Sequence, residues 1–493
     1  MLNISPLHAT ALRHPNAIAL RFGPSPNAYD QAPGQAGRPE PSTQEGLALS
    51  YRELSRRVLQ LGQRLRRQGL EPGARLGCVS GNCLEAILLY WACVDNGLLF
   101  CPLSPRLPPG QIRAMRREFA LTAIWYEPAA ARGAADLRLG LEDEPEAQDK
   151  LPPPVIDAGQ AVNLIFTSGS SGKPKAAVHS LNNHIASAAG ARSLIPLAPG
   201  DSWLLSLPLF HIGGLAILNR CALAGACISL PDPRLSLAGQ IRHDAISHLS
   251  LVPTQLWRLL RGDADGVGFD PGQSSLKALL LGGGPMTQAL LDALAQSRLP
   301  AFCSYGMTEM SSQITTGQAQ ADGNSGSLLP YRQLKLVDGV IWVRGETLFL
   351  GYLQAGKVCK ELDDQGWFCS GDRGLIDGAG RLRLLGRVDN QFICGGENIQ
   401  PEEIENALRL HPDIEEAIVF GEADAEFGLL PSAIIRGELP DPAELREFLQ
   451  PRIAGFKRPR RYYPWPELTD QGGLKLARKR VIAAVLEAKS PGS

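Results

Sequence analysis

The sequence has almost no excess of charge of either sign. Its 49 Lys and Arg residues are balanced by 50 Asp and Glu residues, so the formal net charge is −1. A protein of this composition lacks the broad basic surface that attracts nucleic acids or anionic membranes. We therefore predict no nucleic-acid partner, and we expect any bound anion to be held by a local group of residues.

Paired cysteines and long apolar runs are also absent. None of the ten cysteines forms a Cys-x-x-Cys pair or has metal-ligand spacing with a histidine, which favours reduced, mostly buried thiols. No apolar run is long enough to span a bilayer, and the first residues lack the charged and apolar segments of a signal peptide. These absences predict a cytoplasmic protein without a membrane span.

The chain is too long for one compact core. Its 493 residues, of which 44% are hydrophobic, indicate a globular protein with two or more domains. Short apolar segments alternate with helical segments over much of the chain, as in sheets built from β-α-β units. The predicted strands are residues 75–79, 98–103, 161–166, 202–207, 226–230, 248–252 and 276–281, and we expect a helix after each of the last five.

The pattern changes in the last third of the chain. Residues 337–385 alternate short strands with glycine-containing turns, which predicts a small β subdomain. The predicted fold class is α/β: a large N-terminal body of parallel-rich α/β subdomains plus a small β subdomain, followed by a small mobile α+β C-terminal domain. The predicted domains are residues 1–386 and 387–493. The second has a helix that begins at residues 401–404, helices near 441–450 and 478–488, and strands at 417–421 and 432–435.

One loop of small hydroxyl and glycine residues, closed by two lysines, has the chemistry of a phosphate site. Glycine lets backbone N–H groups approach phosphate oxygens, Ser and Thr add donors, and Lys neutralises charge. Pro174 stands where a P-loop has its magnesium-binding hydroxyl, which disfavours a GTPase or kinase. Taken alone, the loop fits a flexible linker about as well. Its candidate residues are Thr167, Ser168, Gly169, Ser170, Ser171, Gly172, Lys173 and Lys175.

Other candidate residues follow the predicted strands, where ligands collect in open α/β sheets. A lone histidine, His211, ends one strand, although such a residue is more often structural. Three glycines and Pro285 end another strand and would let a flat group such as a purine approach the backbone. A third segment combines an aromatic ring, a hydroxyl and a carboxylate, and a carboxylate suits magnesium on ATP. These last two segments are Gly282, Gly283, Gly284 and Pro285, and Tyr305, Gly306, Met307, Thr308 and Glu309.

Three isolated charged residues complete the set. Asp372 lies in a Ser-Gly-Asp turn and has a carboxylate able to accept both hydroxyls of a ribose. Arg387 lies at the predicted domain junction, where relative rotation of the domains is expected. Lys475 follows a glycine pair near the end of the chain, and by itself it would be a solvated surface lysine.

In order and rough spacing, these motifs together resemble the acyl-adenylate-forming superfamily of acyl-CoA synthetases, firefly luciferase and adenylation domains. The resemblance covers nearly the whole chain. It implies an ATP- and magnesium-dependent ligase in which a carboxylate attacks the α-phosphate of ATP to form an acyl-AMP. A thiol, most often that of coenzyme A, then displaces AMP.

The resemblance also implies a role for each motif. The implied catalytic residues are Lys475, Glu309, Thr308 and His211, with Glu309 as the magnesium ligand. The implied hinge is Asp389, and the implied lining of the coenzyme A tunnel is Gly395 and Gly396. The implied ATP- and AMP-binding residues are the eight loop residues, Gly283, Gly284, Pro285, Tyr305 stacked on adenine, Gly306, Met307, Thr308, Asp372 and Arg387 on the ribose, and Lys475.

Within the superfamily, residues 204–214, 250–260 and 392–403 look closest to the o-succinylbenzoate:CoA ligases of menaquinone biosynthesis. That substrate carries a second, aromatic carboxylate that is not activated. Arg220 interrupts an apolar helical segment, where a guanidinium is costly unless it is paired. It would hold this carboxylate, reach the surface, or pair with an internal acid, and the residues alone leave all three open. The predicted substrate-binding residues are His211, Arg220 and Thr254.

Two other functions stay open. An acyl-CoA synthetase for a fatty, aryl or malonyl-type acid would carry the same motifs. A non-catalytic nucleotide-binding protein would keep the fold and the nucleotide site, although the presence of Lys475, Glu309, Asp372 and Arg387 together argues against it. The expected partners are small molecules, and the oligomeric state is open, a homo-oligomer included.

Overall fold

The computed structural model describes most of the chain. The described residues are 3–23, 47–128, 151–168, 174–262, 269, 271–284, 286, 288–394, 397–424, 428–467 and 478–489. Nine predicted site residues lie outside these ranges: Gly169, Ser170, Ser171, Gly172, Lys173, Pro285, Gly395, Gly396 and Lys475.

Helices and strands alternate along most of the described residues. The helices are α1 (Pro6–Arg13), α2 (Tyr51–Arg67), α3 (Leu84–Asn96), α4 (Pro109–Glu118), α5 (Leu181–Ala191), α6 (Ile212–Ala224), α7 (Leu237–His243), α8 (Pro253–Arg261), α9 (Gln288–Ser297), α10 (Pro401–Leu408), α11 (Pro442–Leu449) and α12 (Arg478–Lys489). The strands are β1 (Ile18–Phe22), β2 (Leu47–Ser50), β3 (Arg75–Val79), β4 (Leu99–Leu103), β5 (Ala123–Tyr126), β6 (Ala161–Ser168), β7 (Pro174–Ser180), β8 (Ser202–Leu204), β9 (Cys227–Ser229), β10 (His248–Leu251), β11 (Ala278–Leu281), β12 (Ala301–Met307), β13 (Ser312–Gln318), β14 (Ser327–Leu328), β15 (Arg332–Val337), β16 (Val340–Gly345), β17 (Gly351–Gln354), β18 (Lys357–Cys359), β19 (Phe368–Ile376), β20 (Leu382–Arg387), β21 (Phe392–Cys394), β22 (Glu397–Ile399), β23 (Ile414–Asp424), β24 (Gly428–Gly437) and β25 (Arg461–Pro464).

A nine-stranded sheet organises the first half of the candidate site. Its order is β14-β13-β12-β11-β10-β8-β9-β1-β2, and the strands from β12 to β1 are parallel. Because the carboxyl ends of parallel strands meet at one edge, the segments that follow β8, β10, β11 and β12 come together there. These segments contain His211, Thr254, the glycine turn and Thr308.

A seven-stranded sheet presents the phosphate-loop motif. Its order is β18-β17-β7-β6-β4-β3-β5. The prediction of a helix directly after residues 161–166 is wrong, since β6 pairs antiparallel with β7 and α5 follows only after that hairpin. Strand β7 starts at Pro174 and runs antiparallel to β6, and proline is tolerated as the first residue of a strand.

The last third of the chain contains the additional β-sheets that the sequence predicts. Strands β15-β16-β19-β20 form a four-stranded sheet that starts at Arg332, slightly earlier than expected. Strands β23-β24-β25 form the C-terminal sheet, and β25 was missed by sequence reasoning. The fold is thus the predicted mixed α/β body with a small C-terminal domain. The boundary at residue 387 and the mobility of that domain stay predictions.

Capping and burial explain helix α2. The Ser50 hydroxyl accepts from the Glu53 amide and the Glu53 carboxylate accepts from the Ser50 amide, which is a capping box. Leu54, Val58 and Leu61 are buried on one face, while arginines occupy the other. Within the described residues, no helix combines the length and the apolar character needed to cross a membrane.

Candidate functional site

The β6–β7 hairpin carries the two ends of the phosphate-loop motif. Thr167 pairs directly with Lys175 across the hairpin. The Lys175 ammonium lies 3.2 Å from Glu361 Oε2 and 4.5 Å from the centre of the Tyr352 ring. Because this ion pair is partly exposed, it contributes little stability and can be exchanged for a stronger anion.

Glu309, the predicted magnesium ligand, is fixed by a tyrosine. It lies on a short 3₁₀ turn after β12 and is only 8% exposed. The Tyr352 hydroxyl donates to Glu309 Oε1 at 2.5 Å, and the Phe349 amide donates to the Glu309 carbonyl at 2.8 Å. Burial and the neighbouring Glu309 raise the pKa of Tyr352, so it remains a donor. The Tyr352 hydroxyl thus holds one carboxylate oxygen of Glu309 in place, and this contact fixes the orientation of the carboxylate.

The turn after Glu309 has an unusual backbone. Ser311 and Ser312 both have positive φ angles, 53° and 105°, although neither is glycine. The Ser187 hydroxyl donates to the Ser311 carbonyl at 2.6 Å, and the Ser311 hydroxyl donates to the Thr347 carbonyl at 2.9 Å. Such conformations persist where surrounding contacts hold them, and they concentrate at functional sites.

Tyr305, Asp372, Arg387 and Asp389 form one connected network. The buried Tyr305 hydroxyl donates to Asp372 Oδ2 at 2.6 Å. Arg387 donates to Asp372 Oδ1 at 3.0 Å and to Asp389 Oδ2 at 3.2 Å. Burial and the Asp372 carboxylate raise the pKa of Tyr305. The network orients the Asp372 carboxylate, and the stacking of Tyr305 on adenine stays a prediction.

The glycine turn after β11 is shaped by close contacts. A side chain at Gly282 would place its Cβ 2.8 Å from the Ser304 hydroxyl oxygen. Gly283 has a φ of +79°, which side chains rarely adopt, and its Cβ position lies 3.4 Å from Val252. The turn at Gly284 packs on Pro253, with 3.6 Å between the Pro253 ring and the Gly284 Cβ position. This backbone can approach a flat ligand closely.

His211 and Thr254, two of the predicted substrate residues, lie at the starts of helices. His211 directly precedes α6, is half-buried, and has its ring centre 4.9 Å from that of Phe210. Thr254 is exposed in the first turn of α8, next to Pro253. Both therefore lie at the same sheet edge as the glycine turn.

Arg220, the third predicted substrate residue, is buried in α6 and only 5% exposed. Its Nη2 donates to the Gln313 side-chain oxygen at 2.6 Å, and its guanidinium lies 5.2 Å from the centre of the Trp203 ring. Burial lowers the pKa of Arg220 to about 10. Among the described residues no carboxylate lies within 4.0 Å of it. Surface exposure and pairing with an internal acid are thus both wrong for the described chain.

Sequence reasoning missed a buried histidine network beneath Thr308. His179 Nε2 donates to the Thr308 carbonyl at 2.8 Å, and its Nδ1 accepts from Asn163 Nδ2 at 3.2 Å. His184 Nε2 donates to Asn163 Oδ1 at 2.6 Å, and His184 Nδ1 is buried without a hydrogen-bond partner among the described residues. Both rings are therefore neutral. No local pattern could reveal that three distant polar side chains meet beneath this turn.

Acid should destabilise the protein through these two rings. Burial lowers the pKa of His179 to about 4, and burial together with His179 lowers that of His184 well below its usual value. Between pH 6.5 and about 4, the two histidines therefore bind protons in the unfolded chain but not in the folded chain. Unfolding free energy should fall by about 1.4 kcal/mol per pH unit for each ring in this window. Urea unfolding at pH 7 and pH 5 measures the loss.

Matched histidine variants localise that effect. His184→Gln should flatten the pH dependence, because it removes one of the two buried titrating rings. His14→Gln is the matched control, because it removes an exposed ring and leaves both buried rings in place. Equal stability of the parent at pH 5 and pH 7 would contradict the neutral-ring assignment.

Contacts join two small groups of the predicted site residues. Lys175 reaches Glu309 through Tyr352, and Tyr305 in β12 reaches Asp372, which Arg387 also contacts. Within the described residues, no group of three His, Cys, Asp or Glu side chains can hold a metal ion. A magnesium ion at Glu309 would thus need further oxygen ligands, as phosphates and water supply. The donor set fits magnesium that arrives with a nucleotide.

Comparisons with known proteins agree with this geometry. Residues 7–353 match the model of the AMP-binding enzyme family, and residues 403–472 match the AMP-binding enzyme C-terminal domain. The 2-succinylbenzoate–CoA ligase of Salmonella typhimurium is 35% identical over 445 residues, which cover 89% of this chain and 93% of that protein.

Two solved structures of o-succinylbenzoate CoA synthetase (MenE) from Bacillus subtilis are also similar. The complex with the acyl-adenylate OSB-AMP has a TM-score of 0.81 at 25% identity and covers 97% of both chains. The complex with ATP and a magnesium ion has a TM-score of 0.82 at 25% identity and covers 97% of this chain and 99% of that one. With the family model matching well over half of its length, the chain belongs to the AMP-binding enzyme family.

Proposed function

We propose that the chain is a 2-succinylbenzoate–CoA ligase of menaquinone biosynthesis. It converts 2-succinylbenzoate, ATP and coenzyme A to 2-succinylbenzoyl-CoA, AMP and pyrophosphate through an acyl-AMP. The relative of that name spans about nine-tenths of the chain, and a solved relative holds the corresponding acyl-adenylate. The structural observation that carries the proposal is Arg220, a buried guanidinium with no carboxylate partner among the described residues.

In the first half-reaction, different residues hold the nucleotide and neutralise its charges. A substrate carboxylate oxygen forms a bond to the α-phosphorus while the bond to the β-phosphate oxygen breaks, so pyrophosphate leaves. Attack of an anion on a polyanion needs alignment and charge neutralisation rather than a nucleophilic side chain. Lys175 neutralises the leaving phosphates, Asp372 and Arg387 hold the ribose, and Lys475 neutralises the reacting oxygens. Magnesium at Glu309 supplies further positive charge to the phosphates.

The second half-reaction requires a different arrangement. The thiol sulfur of coenzyme A bonds to the acyl carbon, AMP leaves, and the thiol proton passes to solvent. Rotation about Asp389 would withdraw Lys475 and bring Gly395 and Gly396 to the thiol channel. Asp389 suits a hinge, since its exposed carboxylate contacts only the adjacent Arg387 in the described chain.

Arg220 supports this choice of acid. 2-Succinylbenzoate has an aliphatic carboxylate that reacts and an aromatic carboxylate that does not. Charged hydrogen bonds from a buried guanidinium would hold the second carboxylate. His211 and Thr254, at the same sheet edge, would border the reacting end of the acid. We propose that the reaction takes place in the cytoplasm, because ATP and coenzyme A are soluble substrates.

A panel of acids tests the proposed function. With ATP, magnesium and coenzyme A, 2-succinylbenzoate should give AMP and a thioester at least about 100-fold faster, as kcat/KM, than benzoate, malonate or octanoate. The physical reason is that these acids lack either the second carboxylate or the aromatic ring. Thioester formation from one of those acids, with none from 2-succinylbenzoate, would reject the proposed substrate.

A further inference from the structure

Two buried guanidiniums donate hydrogen bonds to the same residue, Gln313. Arg220 and Arg332 are each 5% exposed, and their mutual repulsion adds to burial in lowering the pKa of Arg332 to about 9. No carboxylate within the described ranges lies within 4.0 Å of either guanidinium. Two cations are thus buried without a compensating acid, which is costly in the absence of an anion.

Arg332 occupies a cage of neutral oxygens. It donates to the carbonyls of Gln313 and Pro330 at 2.6 Å each, and to the carbonyl and hydroxyl oxygens of Ser187 at 3.2 Å. Gly190 makes room for it, since a Cβ there would lie 2.2 Å from Arg332 Nη1. The cage satisfies the hydrogen-bonding groups of Arg332 and leaves its charge uncompensated.

Gln313 connects the two guanidiniums. Its backbone carbonyl accepts from Arg332, and its side-chain oxygen accepts from Arg220 Nη2 at 2.6 Å. Its side-chain nitrogen donates to the Thr316 hydroxyl at 2.6 Å, so the direction of the amide is fixed. Arg220 Nε is buried and has no hydrogen-bond partner within the described chain. Gln313 therefore orients Arg220 with a neutral group and leaves donor capacity unused.

We propose that Arg332 and Gln313 are positioning residues that set the charge selectivity of the acyl pocket. Arg332 adds a second positive charge behind Arg220, and Gln313 holds Arg220 without neutralising it. The pocket therefore selects an acid with a second carboxylate over the same acid without one. This inference rests on the proposed function, because it assigns Arg220 to the carboxylate that does not react. A glutamate in place of Gln313 would occupy Arg220 from inside the protein.

A selectivity ratio measures this effect. It is kcat/KM for 2-succinylbenzoate divided by kcat/KM for 4-oxo-4-phenylbutanoate, which lacks only the aromatic carboxylate. Gln313→Glu should lower the ratio roughly 10- to 100-fold, mainly through KM for 2-succinylbenzoate, with KM for ATP unchanged. Gln333→Glu is the matched control, since it adds the same charge at an exposed position of β15 and should leave the ratio within about twofold.

Two variants of Arg332 separate its charge from its packing. Arg332→Met should lower the ratio, and Arg332→Lys should restore most of it, because lysine keeps the positive charge. A merely structural role would reduce kcat/KM for both acids alike. An unchanged ratio in Gln313→Glu and Arg332→Met, or equal losses for both acids, would overturn the inference.

Ligand-induced thermal stabilisation provides a second readout that needs no turnover. At equal ionic strength, phthalate should stabilise the parent more than benzoate does, and Gln313→Glu should abolish this difference. If the parent fails to activate 2-succinylbenzoate, the proposed function fails, yet this comparison still decides charge selectivity. Equal stabilisation of the parent by phthalate and benzoate would overturn the inference by itself.

Discussion

Lys475→Ala should abolish adenylation while leaving the second half-reaction largely intact. The reason is that the lysine neutralises oxygens only as the α-phosphate is attacked, so its loss removes stabilisation of that transition state. Loss of one such donor typically slows a reaction by about 100- to 1,000-fold. Release of pyrophosphate measures the first step, and thioester formation from supplied acyl-AMP measures the second.

The split between half-reactions is the informative result. Lys479→Ala is a suitable control, because Lys479 is an exposed residue of α12 close to Lys475 in the chain. It should change neither half-reaction by more than about twofold. Equal adenylation rates in Lys475→Ala and the parent would refute the assigned role, and equal losses in both steps would indicate general damage to the domain.

Asp372→Asn should weaken productive use of ATP by roughly 100-fold in kcat/KM. Asparagine keeps the shape of the side chain, but it cannot accept hydrogen bonds from Tyr305, Arg387 and two ribose hydroxyls together. Each hydrogen bond to a charged group contributes about 1.5–3 kcal/mol. The loss should appear chiefly in KM for ATP, because ribose contacts exist before and during the reaction. Initial rates at varied ATP, with the other substrates saturating, measure it.

A second ion pair of the same β subdomain supplies the comparison. Asp377 lies 2.7 Å from Arg381 on an exposed turn, and both side chains are more than 30% exposed. Asp377→Asn also removes one carboxylate from an aspartate–arginine pair, and it should leave KM for ATP within about twofold. A KM for ATP that stays at the parent value in Asp372→Asn would remove Asp372 from the nucleotide site.

Local patterns predicted the parts of the fold that depend on neighbouring residues. The turn at Gly283 has such a local cause, because its φ of +79° suits glycine and few other residues. The same holds for Glu309 and Asp372, whose placement follows from the strands that carry them. The order of the motifs resembles that of a known superfamily. This resemblance predicted that the distant segments form one site.

Contacts between distant segments were not predictable in this way. The hairpin of β6 and β7 was mistaken for a strand followed by a helix, because a short apolar strand looks the same before a hairpin and before a helix. Tyr352 on Glu309 and Gln313 between two arginines depend on strands that meet only in the folded sheet. The surroundings of Arg220 depend on how deeply it is buried, and burial could not be predicted from the sequence.

Formation of the acyl-adenylate tests the central claim most directly. The purified protein is incubated with ATP, magnesium and 2-succinylbenzoate in the absence of coenzyme A, and the products are examined by mass spectrometry. The account predicts 2-succinylbenzoyl-AMP and pyrophosphate in equal amounts, and release of AMP with 2-succinylbenzoyl-CoA once coenzyme A is added. Absence of the adenylate and of pyrophosphate, under conditions where ATP binds, would contradict it.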